Sequence, residues 1–92
     1  MYLEIVSPEA TLFSGDIESI TVPGNAGSFQ VLNNHAPIVS TLQAGTVTIN
    51  GKLTLAKEVE DKFQTTEGDI TLFEISSGTL EMRDNKVILL AD

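Results

Sequence analysis

The stretch from Thr21 to Gly45, TVPGNAGSFQVLNNHAPIVSTLQAG, decides the fold. Pro23-Gly24-Asn25-Ala26-Gly27 cannot continue a strand or a helix, because proline lacks an amide donor and the two glycines permit positive φ. Phe29-Gln30-Val31-Leu32 then reads as a brief strand. Asn33-Asn34-His35-Ala36-Pro37 breaks the pattern again before Ile38 and Val39 resume it. The only histidine of the chain stands in this second break. Polar loops carried on short apolar strands suit contact with another macromolecule better than they suit chemistry.

The same punctuation continues on both sides. Thr46-Val47-Thr48-Ile49-Asn50 alternates cleanly, with Val47 and Ile49 on one face. Asn50-Gly51 is a two-residue hairpin signal that pairs Val47–Ile49 with Leu53–Leu55. Leu3 and Ile5 alternate with Tyr2, Glu4 and Val6. Ile70 and Leu72 share one phase while Phe73 and Ile75 take the other, which predicts a bulge or a strand changing sheets; Ile17 against Ile20 and Val22 shows a similar slip. Val87-Ile88-Leu89-Leu90 is continuously apolar and reads as a strand covered on both sides. Between these runs lie Ser14-Gly15-Asp16, Gly68-Asp69, Ser76-Ser77-Gly78 and Arg83-Asp84-Asn85-Lys86. Short strands separated by frequent turns predict an all-β domain over residues 1–92, an antiparallel sandwich or flattened barrel of roughly eight to ten strands. Lys52 to Asp69 is the ambiguous segment. Leu55, Val59 and Phe63 recur every four residues, which allows a helical turn, but flanking glycines and Thr65-Thr66 favour a hairpin extension.

Composition narrows the functions. The chain has 92 residues, enough for one small domain that buries about 60–65% of its unfolded surface. It has no cysteine, hence neither disulfides nor thiolate metal sites, which leans intracellular. No signal-peptide pattern opens it, and no run approaches the ~20 apolar residues of a membrane span, so association with a membrane is expected to go through a partner. Thirteen acidic residues against five basic ones give a net charge of −8, which disfavours nucleic acid and anionic lipid as direct partners. That charge serves solubility, or steering toward a basic partner.

No catalytic constellation emerges. One histidine excludes a multi-histidine metal site and leaves His35 as the only base for a triad. Ser14, Ser28, Ser40, Asp16 and Asp69 are the conceivable companions, but no nucleophile elbow frames any serine. Gly24 to Ser28 resembles a phosphate loop only in its glycines: it has no Lys-Ser/Thr ending, carries no cation and leads into a strand. The carboxylate pairs Glu58/Glu60 and Glu9/Asp16 would need a cleft that so small a sandwich hardly offers. A lipoyl- or biotinyl-type carrier needs a lysine at its hairpin tip, where Leu80-Glu81-Met82 is followed by Arg83. No cofactor and no metal are expected.

Three segments in order carry a family resemblance. Leu3-Glu4-Ile5-Val6-Ser7-Pro8-Glu9 leads into Leu12-Phe13-Ser14-Gly15. The Pro-Gly turn, Gly27-Ser28-Phe29-Gln30-Val31-Leu32, Asn34-His35-Ala36-Pro37 and Gly45-Thr46-Val47 follow. Asn85-Lys86-Val87 leads into Leu90-Ala91-Asp92. Together they resemble the amino-terminal domain of epsilon subunits of F-type ATP synthases, over Tyr2 to Asn50 and Ile70 to Asp92. Lys52–Asp69 is longer than the corresponding link of that pattern, and Ser77-Gly78 stands where a double glycine is usual.

The resemblance implies a β-sandwich without catalytic residues, part of the central stalk of a proton- or sodium-translocating synthase. It implies binding to the gamma subunit and to the membrane rotor ring, with indirect contact to the catalytic alpha/beta head. Its place would be the cytoplasmic side of a bacterial inner membrane, held there through the complex. By position, Ser7, His35 and Ser40 match gamma-facing sites, and Asn25, Gly27, Ser28 and Gln30 match the ring-facing loop. An acidic residue is common in that loop among the family and Ser28 lies near its place, so no specific ion pair is expected to fix the ring contact. Many epsilon subunits continue past Leu-Ala-Asp into a two-helix hairpin. The sequence ends at Asp92, and neither ATP binding nor inhibition by inserted helices is expected of it. The alternative is a free-standing recognition module for a peptide or glycan, whose sign would be an exposed aromatic groove.

Overall fold

Alternating β-branched and threonine-rich runs fold as ten strands in the computed structural model, which describes Met1 to Asp92. In chain order they are β1 (Tyr2–Val6), β2 (Thr11–Asp16), β3 (Ser19–Gly24), β4 (Gly27–Leu32) and β5 (Ile38–Leu42). β6 (Gly45–Asn50), β7 (Phe63–Thr66), β8 (Ile70–Ile75), β9 (Gly78–Arg83) and β10 (Lys86–Ala91) complete the set. A single 3₁₀ turn at Glu60–Lys62 is the only helical element.

The strands form one curled sheet in the order β2-β1-β10-β9-β5-β3-β6-β8-β7, with β4 added to β3. The sheet folds over where β5 meets β3, because those two strands share one ladder position, Gly24 opposite Leu42. Five strands lie on each side of this crease: β2-β1-β10-β9-β5 in the first layer and β4-β3-β6-β8-β7 in the second. Pro23 explains the crease. Pairing of β3 with β6 stops at Thr21, opposite Thr48, two residues before a proline that has no N–H to extend it. The sandwich is antiparallel at every pairing except β1 with β10, which run parallel with Leu3 opposite Val87.

Alternation along each strand puts one core between the layers. Leu3, Ile5, Leu80, Val87 and Leu89 from the first layer meet Ile20, Val22, Val31, Val47 and Ile49 from the second, all fully buried. Each such side chain contributes about 1.5–3 kcal/mol through burial. The buried polar atoms are satisfied: Ser19 Oγ accepts from Asn50 Nδ2 at 2.9 Å, and no buried side-chain nitrogen or oxygen lacks a partner.

Four local expectations change. Asn50-Gly51 does not close a hairpin onto Leu53–Leu55, because β6 is already flanked by β3 and β8 and has no free edge. Gly51, at φ 140°, instead donates its N–H to the Asp69 carbonyl at 2.9 Å, while Leu53 and Leu55 rest half-buried against the core. Residues 52–69 contain both structures the sequence left open. The 3₁₀ turn precedes β7, and β7 pairs with β8 around Gly68 and Asp69, both at positive φ. β8 has no bulge: its ladder with β6 runs unbroken from Ile75 to Ile70, and Thr71 shares the inward phase with Phe73 and Ile75. The register shift lies in β1–β2, between Ile5 and Val6, where Leu12 and Phe13 are both buried. Finally, β10 is covered on one side only. Val87 and Leu89 are fully buried while Leu90 is 49% exposed, because no third layer lies over the first.

Candidate functional site

That uncovered side of the first layer is the site. Ladder registers set its rows: Glu4, Ile88, Glu81 and Val39 lie side by side across β1, β10, β9 and β5. The next row is Val6, Leu90, Thr79 and Thr41. Val39 is 76% exposed, Leu90 49% and Tyr2 38%, so a flat face of the molecule keeps large apolar groups in water. Acids and short hydroxyls separate them, and Lys86 of the bordering row lies over the Tyr2 ring and near Glu4. A regular sheet face of this kind fits a protein surface and not a small molecule.

Each end of the face carries a turn fixed by side chains. At one end, β3 passes through Asn25 and Ala26 into β4, and Gly27 supplies the positive φ of 126°. Asn25 Nδ2 donates to Thr41 Oγ1 at 2.7 Å, the Asn25 N–H donates to the Thr41 carbonyl at 3.2 Å, and the Gln43 N–H to the Pro23 carbonyl at 2.9 Å. At the other end, Asp84 and Asn85 both take positive φ, as a tight β9–β10 hairpin requires. Asn85 there clasps the β4–β5 loop: its Oδ1 accepts from the Asn34 N–H at 2.7 Å and its Nδ2 donates to Asn33 Oδ1 at 2.9 Å. His35 follows directly and is exposed.

The seven residues singled out from sequence do not form one cluster. His35 lies at the Asn85 end, and Ser7 at the opposite end in the β1–β2 turn. The Ser7 hydroxyl donates to the Ala10 carbonyl and to Glu9, so it serves its own turn. Ser40 lies between them on β5, in the inward phase opposite Leu80 and half-buried. Asn25, Gly27 and Ser28 do come together at the β3–β4 turn. Gln30 is in mid-strand, opposite Thr21, and its amide donates to Ser19 Oγ at 3.4 Å. Sequence reasoning missed Val39, Leu90 and Tyr2. The signal was present in β5, where placing Leu42 inward forces Val39 and Thr41 outward.

The chemistry available is that of contact. His35 Nδ1–H donates to the neighbouring Ala36 carbonyl at 2.7 Å, and no serine or carboxylate approaches the ring. No three His, Cys, Asp or Glu side chains come close enough to share a metal ion. The largest concavity, about 580 Å³, is an open groove between the β1–β2 turn, Val59, Lys62 and Asp92. Phe13 and Phe73 are buried and Phe29 and Phe63 half-buried, which leaves Tyr2 as the exposed aromatic and no aromatic groove.

The class this geometry defines is the small two-layer β-sandwich with one sheet face left uncovered. All of residues 1–92 match the family described as the β-sandwich domain of the ATP synthase delta/epsilon chain, and the chain belongs to that family. Among its relatives, the ATP synthase epsilon chain of Chlorobaculum tepidum is 40% identical over 90 residues, covering 98% of this chain and 86% of the relative. That of Campylobacter curvus is 35% identical across the whole of this chain, which spans 60% of the relative's length. In solved structures the fold recurs in the central stalk and c-ring of the Tetrahymena thermophila mitochondrial ATP synthase, at a TM-score of 0.68 and 19% identity, covering 99% of this chain and 62% of that one. It recurs also in the Euglena gracilis mitochondrial ATP synthase, at 0.73 and 20%, covering 97% of this chain and 48% of that one.

Proposed function

We propose that the chain is a non-catalytic central-stalk subunit of a proton- or sodium-translocating F-type ATP synthase. It binds the gamma subunit through the exposed face of the first layer and rests on the membrane rotor ring with its β3–β4 end, helping to couple ion flow to ATP synthesis. One observation carries this reading: in a chain of the epsilon family, Val39 and Leu90 stand in water on a flat sheet face with nothing in the fold to cover them. Ser7 and His35, at opposite ends of that face, and Ser40, on β5 between them but on its inner side, are proposed as gamma-facing. Asn25, Gly27, Ser28 and Gln30 are proposed toward the ring.

The physical requirements agree. A rotor part needs a stiff body and broad complementary contact, and specific interfaces of this kind bury over ~1,000 Å² around a few central side chains. No helix here is long and apolar enough to cross a membrane, so attachment to a bacterial inner membrane, on its cytoplasmic side, would run through the complex. The test is calorimetry of the chain with its cognate ATP synthase depleted of the epsilon subunit. One-to-one binding at micromolar affinity or better, weakened by Val39→Asp or His35→Glu with the fold retained, is the expected result. No binding by a folded, monomeric chain would overturn it.

A further inference from the structure

We infer that Asn25 and Thr41 are positioning residues: they fasten the β3–β4 turn to the exposed face of the first layer, so that turn and face meet their partners as one rigid surface. This rests on the contact reading above. The turn has almost no packing of its own. Asn25 through Ser28 are exposed, and a methyl group built on Gly27 would meet no atom within 4 Å. Ladder pairing does not hold the turn to the first layer either, since β3 and β5 share only the Gly24–Leu42 position. What locates its first corner residue is Thr41, next to the bond from the Gln43 N–H to the Pro23 carbonyl.

Thr41 points outward on β5, on the same side as Val39, and supplies two acceptors. Its Oγ1 takes the Asn25 side-chain amide at 2.7 Å, and its carbonyl takes the Asn25 N–H at 3.2 Å. The same carbonyl accepts the Ser40 hydroxyl at 3.2 Å. A residue of the contact face thus sets both the backbone and the side chain of the turn's first corner residue. The bond needs a hydroxyl at position 41 and a short polar partner at position 25. Valine at 41 keeps the shape and removes the acceptor, and serine restores it.

The test compares Thr41→Val, Thr41→Ser, Asn25→Ala and the Asn25→Ala/Thr41→Val double variant in two readouts. The first is amide hydrogen exchange at Asn25 and Gln43 in the free chain. The second is affinity for the cognate ATP synthase depleted of epsilon. One net hydrogen bond predicts exchange faster by about three- to tenfold in Thr41→Val and Asn25→Ala, affinity weaker by a similar factor, and Thr41→Ser close to the parent. The double variant should be no worse than either single one, because both remove the same bond. Unchanged exchange and affinity in the single variants would overturn the inference while leaving the contact reading standing. Weakened affinity with unchanged exchange would also overturn it, by showing direct contact instead of positioning. Failure of the parent chain to bind would remove the contact reading, and the inference with it.

Discussion

On the outer side of the first layer, Val39, Ile88 and Leu90 alternate with Glu4, Glu81 and Thr41. On the outer side of the second layer, the matching positions of β6 are Thr46, Thr48 and Asn50. The second face stitches itself together across its strands: Thr46 donates to Glu74, and Asn50 and Gln30 both donate to Ser19. These polar groups have partners within the fold. On the first face, large apolar groups stay in water, and the fold offers them nothing. The two surfaces therefore differ in degree: on the second, Leu32 of the edge strand β4 is 54% exposed, whereas on the first Val39 and Leu90 stand on strands flanked on both sides.

The largest effect expected from this contrast is on binding. Val39→Asp or Leu90→Asp should weaken affinity for the epsilon-depleted synthase on the order of 100-fold, the loss typical of a central interface residue. Thr48→Asp, on the closed face, should leave it within about twofold in the same calorimetric titration. Equal losses at Val39 and Thr48 would erase the distinction between the faces.

Next in size is the backbone of the first layer. A Cβ at Gly78 would collide with the Leu90 carbonyl oxygen, so Gly78→Ala should cost about 2 kcal/mol in urea unfolding as β9 and β10 are forced apart. Ser77 beside it donates its hydroxyl to Asp92 Oδ2 at 2.8 Å. In the second layer, Phe63 stacks on Phe73 with centroids 4.8 Å apart while half-exposed at the sheet's edge. Phe63→Ala should therefore cost about 1–2 kcal/mol, less than a fully buried phenylalanine. The smallest effect is at the clasp: Asn85→Ala should lower stability by about 0.5–1 kcal/mol and speed exchange of the Asn34 amide, with β9 and β10 otherwise protected.

Much of this molecule was legible from sequence because its signals are local. The Thr46–Asn50 alternation and the Asp84-Asn85 turn each depend on neighbours in the chain, and each appears as read; the Pro-Gly break is narrower than read, because β3 runs on through Pro23 and Gly24, paired with Ser28 and Gly27, and only Asn25 and Ala26 lie between the strands. The family segments likewise fall on β1–β2, β3–β6 and β10. What failed depended on distant strands. Asn50-Gly51 has the chemistry of a hairpin, but whether β6 has a free edge is decided by β3 and β8. Thr71 looked polar enough to break the phase of β8, yet a β-branched side chain nearly isosteric with valine packs inward without disturbing the ladder. The apolar run in β10 gave no hint that one side would be left bare, because that depends on how many layers the chain can build. The face was hidden for the same reason: exposure belongs to the assembled sandwich, and the sequence marks only the phase.

The parallel pairing of β1 with β10 has a consequence for how the domain comes into being. Leu3 finds Val87 only after all the strands between them have been made, so the first layer closes late in the folding of the domain. Until then β1 has β2 alone for company, and its inner edge is an open template for any passing strand. Such long-range closure places the domain among slow, high-contact-order folders, and makes the nascent amino-terminal hairpin the segment most exposed to mispairing before assembly.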